Sequence, residues 1–121
     1  MKTLVLTGLV LLFAAFVPTD LLHLRLTKST PAKDAVLTAS PAELRVWFNQ
    51  NARMAESKLA LTRDGEAVVL PAVEATDDPK SFRVALPDSL NLGAGAYEMT
   101  WTTAGNDGHV LKGTIPYTVK P

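Results

Sequence analysis

From His23 to the end of the chain, apolar residues recur at every second position in one run after another. Leu44, Val46 and Phe48 alternate with Glu43, Arg45 and Trp47, and Leu59 and Leu61 alternate with Lys58, Ala60 and Thr62. Phe82, Val84 and Leu86 follow the same rule, as do Tyr97, Met99 and Trp101, and then Ile115, Tyr117 and Val119. Successive side chains of an extended chain point to opposite faces, so each run reads as a strand with one face buried. Turn signals separate the runs at Pro41, Asp64-Gly65, Asp77-Asp78-Pro79, Gly93-Ala94-Gly95 and Asp107-Gly108. With an opening strand near Leu24 to Thr30 and another around Ala67 to Val73, the pattern predicts about seven strands with a turn every ten residues or so. That is an all-β fold: a seven-stranded Greek-key β-sandwich or barrel of immunoglobulin-like type, with no helix longer than two turns. The predicted inward residues are Leu44, Val46, Phe48, Leu61, Val84, Tyr97, Met99, Trp101, Tyr117 and Val119. Asp64-Gly65 should be a two-residue hairpin, and Pro71 and Pro116, which cannot donate to a ladder, belong at edges or bulges.

The front of the chain breaks the pattern. Met1-Lys2 supplies a positive charge and Leu4 to Val17 is almost wholly apolar, short for a membrane span and suited to a signal-peptide core. Residues 1–22 are therefore expected to be a signal peptide, or an uncleaved anchor, and 23–121 the folded domain. A cut just before His23 would place Leu22 and Asp20 where small residues are preferred. Export leads to an oxidising compartment, yet the chain has no Cys, so its core and any ligand must supply all the stability. Twelve Lys and Arg balance twelve Asp and Glu, which leaves no basic excess for nucleic acid.

Hydrolytic chemistry finds no support, since there is no G-x-S-x-G, no Cys nucleophile and no phosphate-cradling glycine loop before a helix. The two histidines, His23 and His109, are the residues of interest. Asp107 and His109 lie two apart and would share a side if the last strand had already begun at Asp107. A carboxylate with a neutral imidazole suits copper, zinc or nickel. The other reading is a plain Asp-Gly turn with both side chains exposed. Met99 falls in the apolar phase and reads as core, whereas Met54 sits in a polar stretch, and one thioether does not make a site.

His23-Leu24-Arg25-Leu26-Thr27-Lys28-Ser29-Thr30-Pro31, followed by Pro41-Ala42-Glu43-Leu44-Arg45-Val46-Trp47-Phe48, resembles the opening of the CopC family of periplasmic copper-binding proteins. The closing half is similar too: Leu92-x-x-Gly95-x-Tyr97-x-Met99-x-Trp101, then Asp107-Gly108-His109, Gly113 and Tyr117-x-Val119. The resemblance implies a seven-stranded sandwich that binds Cu(II) in the periplasm. It implies that an N-terminal His giving amine and ring nitrogens, with the Asp and His of a D-x-H element, holds the ion, which places the ligands at His23, Asp107 and His109. It further implies a carrier or buffer in copper homeostasis and resistance, not an enzyme, that serves a CopD-like membrane permease; we expect a monomer. Two features depart from the family. The Met-rich stretch some members use for Cu(I) is absent, which points to a Cu(II)-only type, and Gln50 stands where some members carry an acidic residue. Two other readings are a copper monooxygenase with a histidine-brace site and a metal-free β-sandwich interaction domain.

Overall fold

The computed structural model describes residues 23–121, so the segment expected to be a signal peptide lies outside the described residues. Strands β1 (Leu26–Thr30), β3 (Glu43–Phe48), β7 (Ser81–Ala85) and β6 (Glu74–Ala75) form one sheet in that order. Strands β2 (Ala35–Leu37), β9 (Val110–Val119), β8 (Gly95–Ala104), β4 (Lys58–Arg63) and β5 (Glu66–Val68) form the other. Every pairing is antiparallel except that of β2 with β9. Among the described residues only two short 3₁₀ turns, Met54–Glu56 and Asp88–Leu90, interrupt the strands.

The all-β sandwich is as expected, but it has nine strands among the described residues rather than seven. The opening strand ends at Thr30, before Pro31, which has no N–H to continue the ladder with β3; beyond it Ala35–Leu37 add a strand, β2, to the second sheet that the sequence reading did not include. The strand expected around Ala67 to Val73 divides about Pro71, its first piece pairing with β4 and its second with β7. Pro116 lies where β2 reaches β9, and its carbonyl accepts the Asp34 N–H at 2.7 Å. The Asp64-Gly65 hairpin forms as expected, with φ of 49° and 84°, the left-handed pair that a two-residue turn between twisted strands requires.

All ten residues expected to face inward are buried, together with Leu59, Phe82, Leu86 and Ile115. Phe48 sits between the sheets, stacked on Phe82 and edge-on to Trp101 with ring centroids 5.7 and 5.0 Å apart. The indole of Trp101 lies across its ladder partner Gly113, where a Cβ would come within 2.5 Å of the ring. This gives the Trp101-to-Gly113 spacing its physical reason. Trp47, in the outward phase, is covered on the sheet surface by Lys28 and Arg45, each 4.5 Å from its ring centroid. The inward phase of β8 continues to Thr103, which is fully buried; its hydroxyl meets that of Ser57 at 2.7 Å, so neither polar group is left without a partner. The pairing of β1 with β3, and of β8 with β9, brings the start of β1, the end of β3, the end of β8 and the start of β9 to one pole of the sandwich.

Candidate metal centre

At that pole the chain turns from β8 into β9 through Gly105 to His109. The last strand does not begin until Val110, so Asp107 and His109 do not share a strand face as the spacing argument supposed. A turn brings them together instead. The Gly108 N–H bonds the Gly105 carbonyl at 3.0 Å, and Gly108 takes a φ of 76° that favours glycine. Asp107 Oδ1 then accepts the backbone N–H of His109 at 3.0 Å, and its Oδ2 lies 3.1 Å from His109 Nδ1. This is an Asx turn, the local bonding by which Asp competes with regular structure.

The electrostatics follow from those contacts. The His109 backbone N–H, and after it the His109 ring, hold the Asp107 carboxyl below its ordinary range, with a smaller pull in the same direction from His23. At neutral pH Asp107 is thus an acceptor only, which makes His109 Nδ1 the donor and leaves the lone pair of the neutral ring on Nε2. The His109 side chain is 81% exposed and that of Asp107 37%, so the pair is open to water and to exchanging ligands.

His23 is at the same pole and exposed. Its charge acts on Asp107, but among the described residues no three His, Asp or Glu side chains converge closely enough to hold an ion together. The structure thus joins Asp107 to His109 directly and leaves His23 as a neighbour. Met54 is exposed and Met99 is core, as the sequence indicates.

The residues that build this pole include several to which the periodicity gave no role. Asn49, just past β3, accepts the Arg25 N–H on Oδ1 at 2.7 Å and donates from Nδ2 to the His23 carbonyl at 2.9 Å. Gln50 Oε1 accepts the Asn106 N–H at 2.9 Å and presses on Gly105, where a Cβ would come within 2.5 Å of it. Arg53 donates its backbone N–H to the Ala104 carbonyl at 2.9 Å and a guanidinium N–H to the Asn106 carbonyl at 3.2 Å. The one available signal in the sequence was the polar run Asn49-Gln50-Asn51, where the alternation stops abruptly after Phe48.

Fold and site together describe a small β-sandwich carrying an exposed carboxylate–imidazole pair at one pole. The CopC domain model matches residues 26–120, and the chain belongs to the CopC family. Protein YobA of Escherichia coli strain K12 is 32% identical over 100 residues, which covers 81% of this chain and 79% of that protein. Copper resistance protein C of Escherichia coli is 30% identical over 124 residues, 96% of this chain and 94% of that protein. The crystal structure of CopC from Methylosinus trichosporium OB3b superposes with a TM-score of 0.72 at 25% identity, covering 82% of this chain and 95% of that one.

Proposed function

We propose that this protein binds one Cu(II) ion at the pole formed by His23, Asp107 and His109, and serves as an exported copper carrier or buffer. The observation that carries the reading is the 3.1 Å separation of Asp107 Oδ2 and His109 Nδ1. Metal–nitrogen and metal–oxygen bonds of about 2.0–2.2 Å meeting at a right angle span a chord of about 3 Å. The tetragonal geometry of Cu(II) with N and O ligands has such right angles. The pair is therefore already spaced as two adjacent corners around one ion, and binding through Nδ1 would require the single ring proton of the neutral imidazole to move from Nδ1 to Nε2. His23 supplies the remaining nitrogens, from its ring and, where processing makes it the first residue, from its amine.

Membership in the CopC family and the kinship with Copper resistance protein C support copper as the ion. The exposure of His109 supports exchange of the ion with a partner, for which a CopD-like permease in a periplasmic setting is the proposal, with the protein acting as a monomer. An open groove of about 620 Å³, lined by residues that include Ser40, Pro41, Leu86, Asp88, Asn91 and Leu92, lies at the opposite pole, away from the proposed centre.

The test is Cu(II) affinity by competition with a chelator. Asp107→Ala should weaken binding and His109→Ala should weaken it more, since imidazole nitrogen is the stronger ligand for Cu(II). Unchanged affinity in both variants would remove this pole from consideration.

A further inference from the structure

Three ligands on two separate stretches of chain make a site only if something fixes the stretches relative to one another. His23 precedes β1, in the first sheet, and Asp107 and His109 lie between β8 and β9, in the second. We propose that Asn49 is the residue that positions the His23 arm against the Asp107–His109 arm, and that copper affinity depends on it although it does not touch the ion. The inference rests on the copper reading above.

The geometry is specific to an amide. Asn49 makes three bonds to residues 23–25: its backbone N–H to the Arg25 carbonyl at 3.0 Å, Oδ1 from the Arg25 N–H at 2.7 Å, and Nδ2 to the His23 carbonyl at 2.9 Å. The side chain both accepts and donates, so it holds a segment that lies ahead of the first strand and has no ladder of its own. A carboxylate could make the first side-chain bond but not the second, and an alkyl group could make neither. The last bond ends on the residue that is to carry a ligand.

Immediately beside it, Gln50 reaches the other arm. Its Oε1 holds the Asn106 N–H one residue before Asp107, and its side chain fills the space over Gly105. Leu24, buried next to His23, closes on the same glycine, with its Cβ 3.3 Å from where a Gly105 Cβ would stand. One dipeptide at the end of β3 thus bonds to both arms from a single rigid strand end, and the arms pack on each other between its side chains. Partners of this kind, which orient ligands without binding metal, commonly alter metal affinity about 10–100-fold when removed.

The experiment is a double-mutant cycle on the full chain as it is processed, using Asn49→Leu, His23→Ala and the two combined, with Cu(II) alone as probe. Asn49→Leu should weaken Cu(II) binding at least about tenfold and change the nitrogen hyperfine pattern of the bound ion in electron paramagnetic resonance. In the His23→Ala background, which removes the ring but keeps the backbone carbonyl and amine of residue 23, the same substitution should cost clearly less than it does in the wild type, because only the amine is left to position. Hydrogen exchange of the Arg25 amide in the metal-free protein should speed up in Asn49→Leu. If that variant does not fold, Asn49→Asp, which keeps the bond to Arg25 and loses the one to His23, takes its place and should show the same spectral change. Wild-type affinity and spectrum in Asn49→Leu would overturn the proposal, as would an equal loss in both backgrounds, which would mark a general structural effect. Failure of the copper reading looks different: His23→Ala would then bind as wild type does, and the clamp would have no ligand to act through.

Discussion

Two tyrosines stacked in the core test the account at the scale of single residues. Tyr97 and Tyr117 lie face to face with centroids 5.0 Å apart, yet only one hydroxyl is satisfied. Tyr97 donates to the Gly93 carbonyl at 2.6 Å, whereas the Tyr117 hydroxyl is buried with no partner among the described residues. Opposite signs follow for the same chemical change. Tyr97→Phe should destabilise the fold by about 1 kcal/mol, and Tyr117→Phe should be neutral or stabilising by up to about 1 kcal/mol, in denaturant titrations. Burial also raises both hydroxyls above the ordinary tyrosine range, Tyr117 the more, with the Tyr97 ring adding to the effect there. Above a pH of about 10 the unfolded chain releases these protons while the folded one retains them. Stability should therefore hold up to that point and fall as pH rises further, and the fall should be shallower in Tyr117→Phe. An alkaline limb of equal slope in both proteins would mean that Tyr117 is not the group responsible.

At the scale of elements, the β8–β9 hairpin does two things at once: it carries the aromatic centre of the core and it presents the candidate ligands at its tip. Gly113 lets the Trp101 indole lie flat across the ladder, and that ring in turn meets Phe48 edge-on. Gly113→Ala should push the indole out of this place, cost about 1–3 kcal/mol in stability and shift the tryptophan emission. An unchanged melting temperature would show that the ring moves aside freely. The strands themselves were legible in the sequence because period two is a direct consequence of extended backbone with one buried face. Leu44, Val46 and Phe48, or Tyr97, Met99 and Trp101, could hardly be arranged otherwise. The short strands were not legible, since two or three residues carry no period. The placement of Ala35–Leu37 beside β9 depends on which sheet has a vacant edge, which is a tertiary fact. Spacing alone put Asp107 and His109 on one side only if the last strand began at Asp107, which it does not; the turn that Asp107-Gly108 signalled is present, and its Asx geometry brings the side chains together. Asn49 and Arg53 stayed invisible because capping bonds to loop backbone leave no periodic mark, and Gln50 was singled out by the family resemblance alone.

The whole molecule is a sandwich with two unlike ends. One holds the polar turns and both histidines, the other a groove lined by both apolar and polar residues, among them Pro41, Leu86, Asp88 and Asn91. The sheets fix the Asp107–His109 turn from below through Gln50 and Arg53, and Asn49 ties down the stretch that starts at His23. Such a frame leaves the proposed copper site exposed at its pole, as an exchangeable ion would require. We propose that His23, where processing makes it the first residue, completes this site with its amine and ring. A free α-amine gives up its proton near neutral pH and forms a chelate ring with its own imidazole, whereas a peptide nitrogen releases its proton only reluctantly. The direct measurement compares two purified forms, one starting at His23 and one carrying Asp20-Leu21-Leu22 in front of it, titrated with Cu(II) against the same chelator at one pH. The account predicts that the form starting at His23 binds Cu(II) more tightly by orders of magnitude. Equal affinities in the two forms would contradict it.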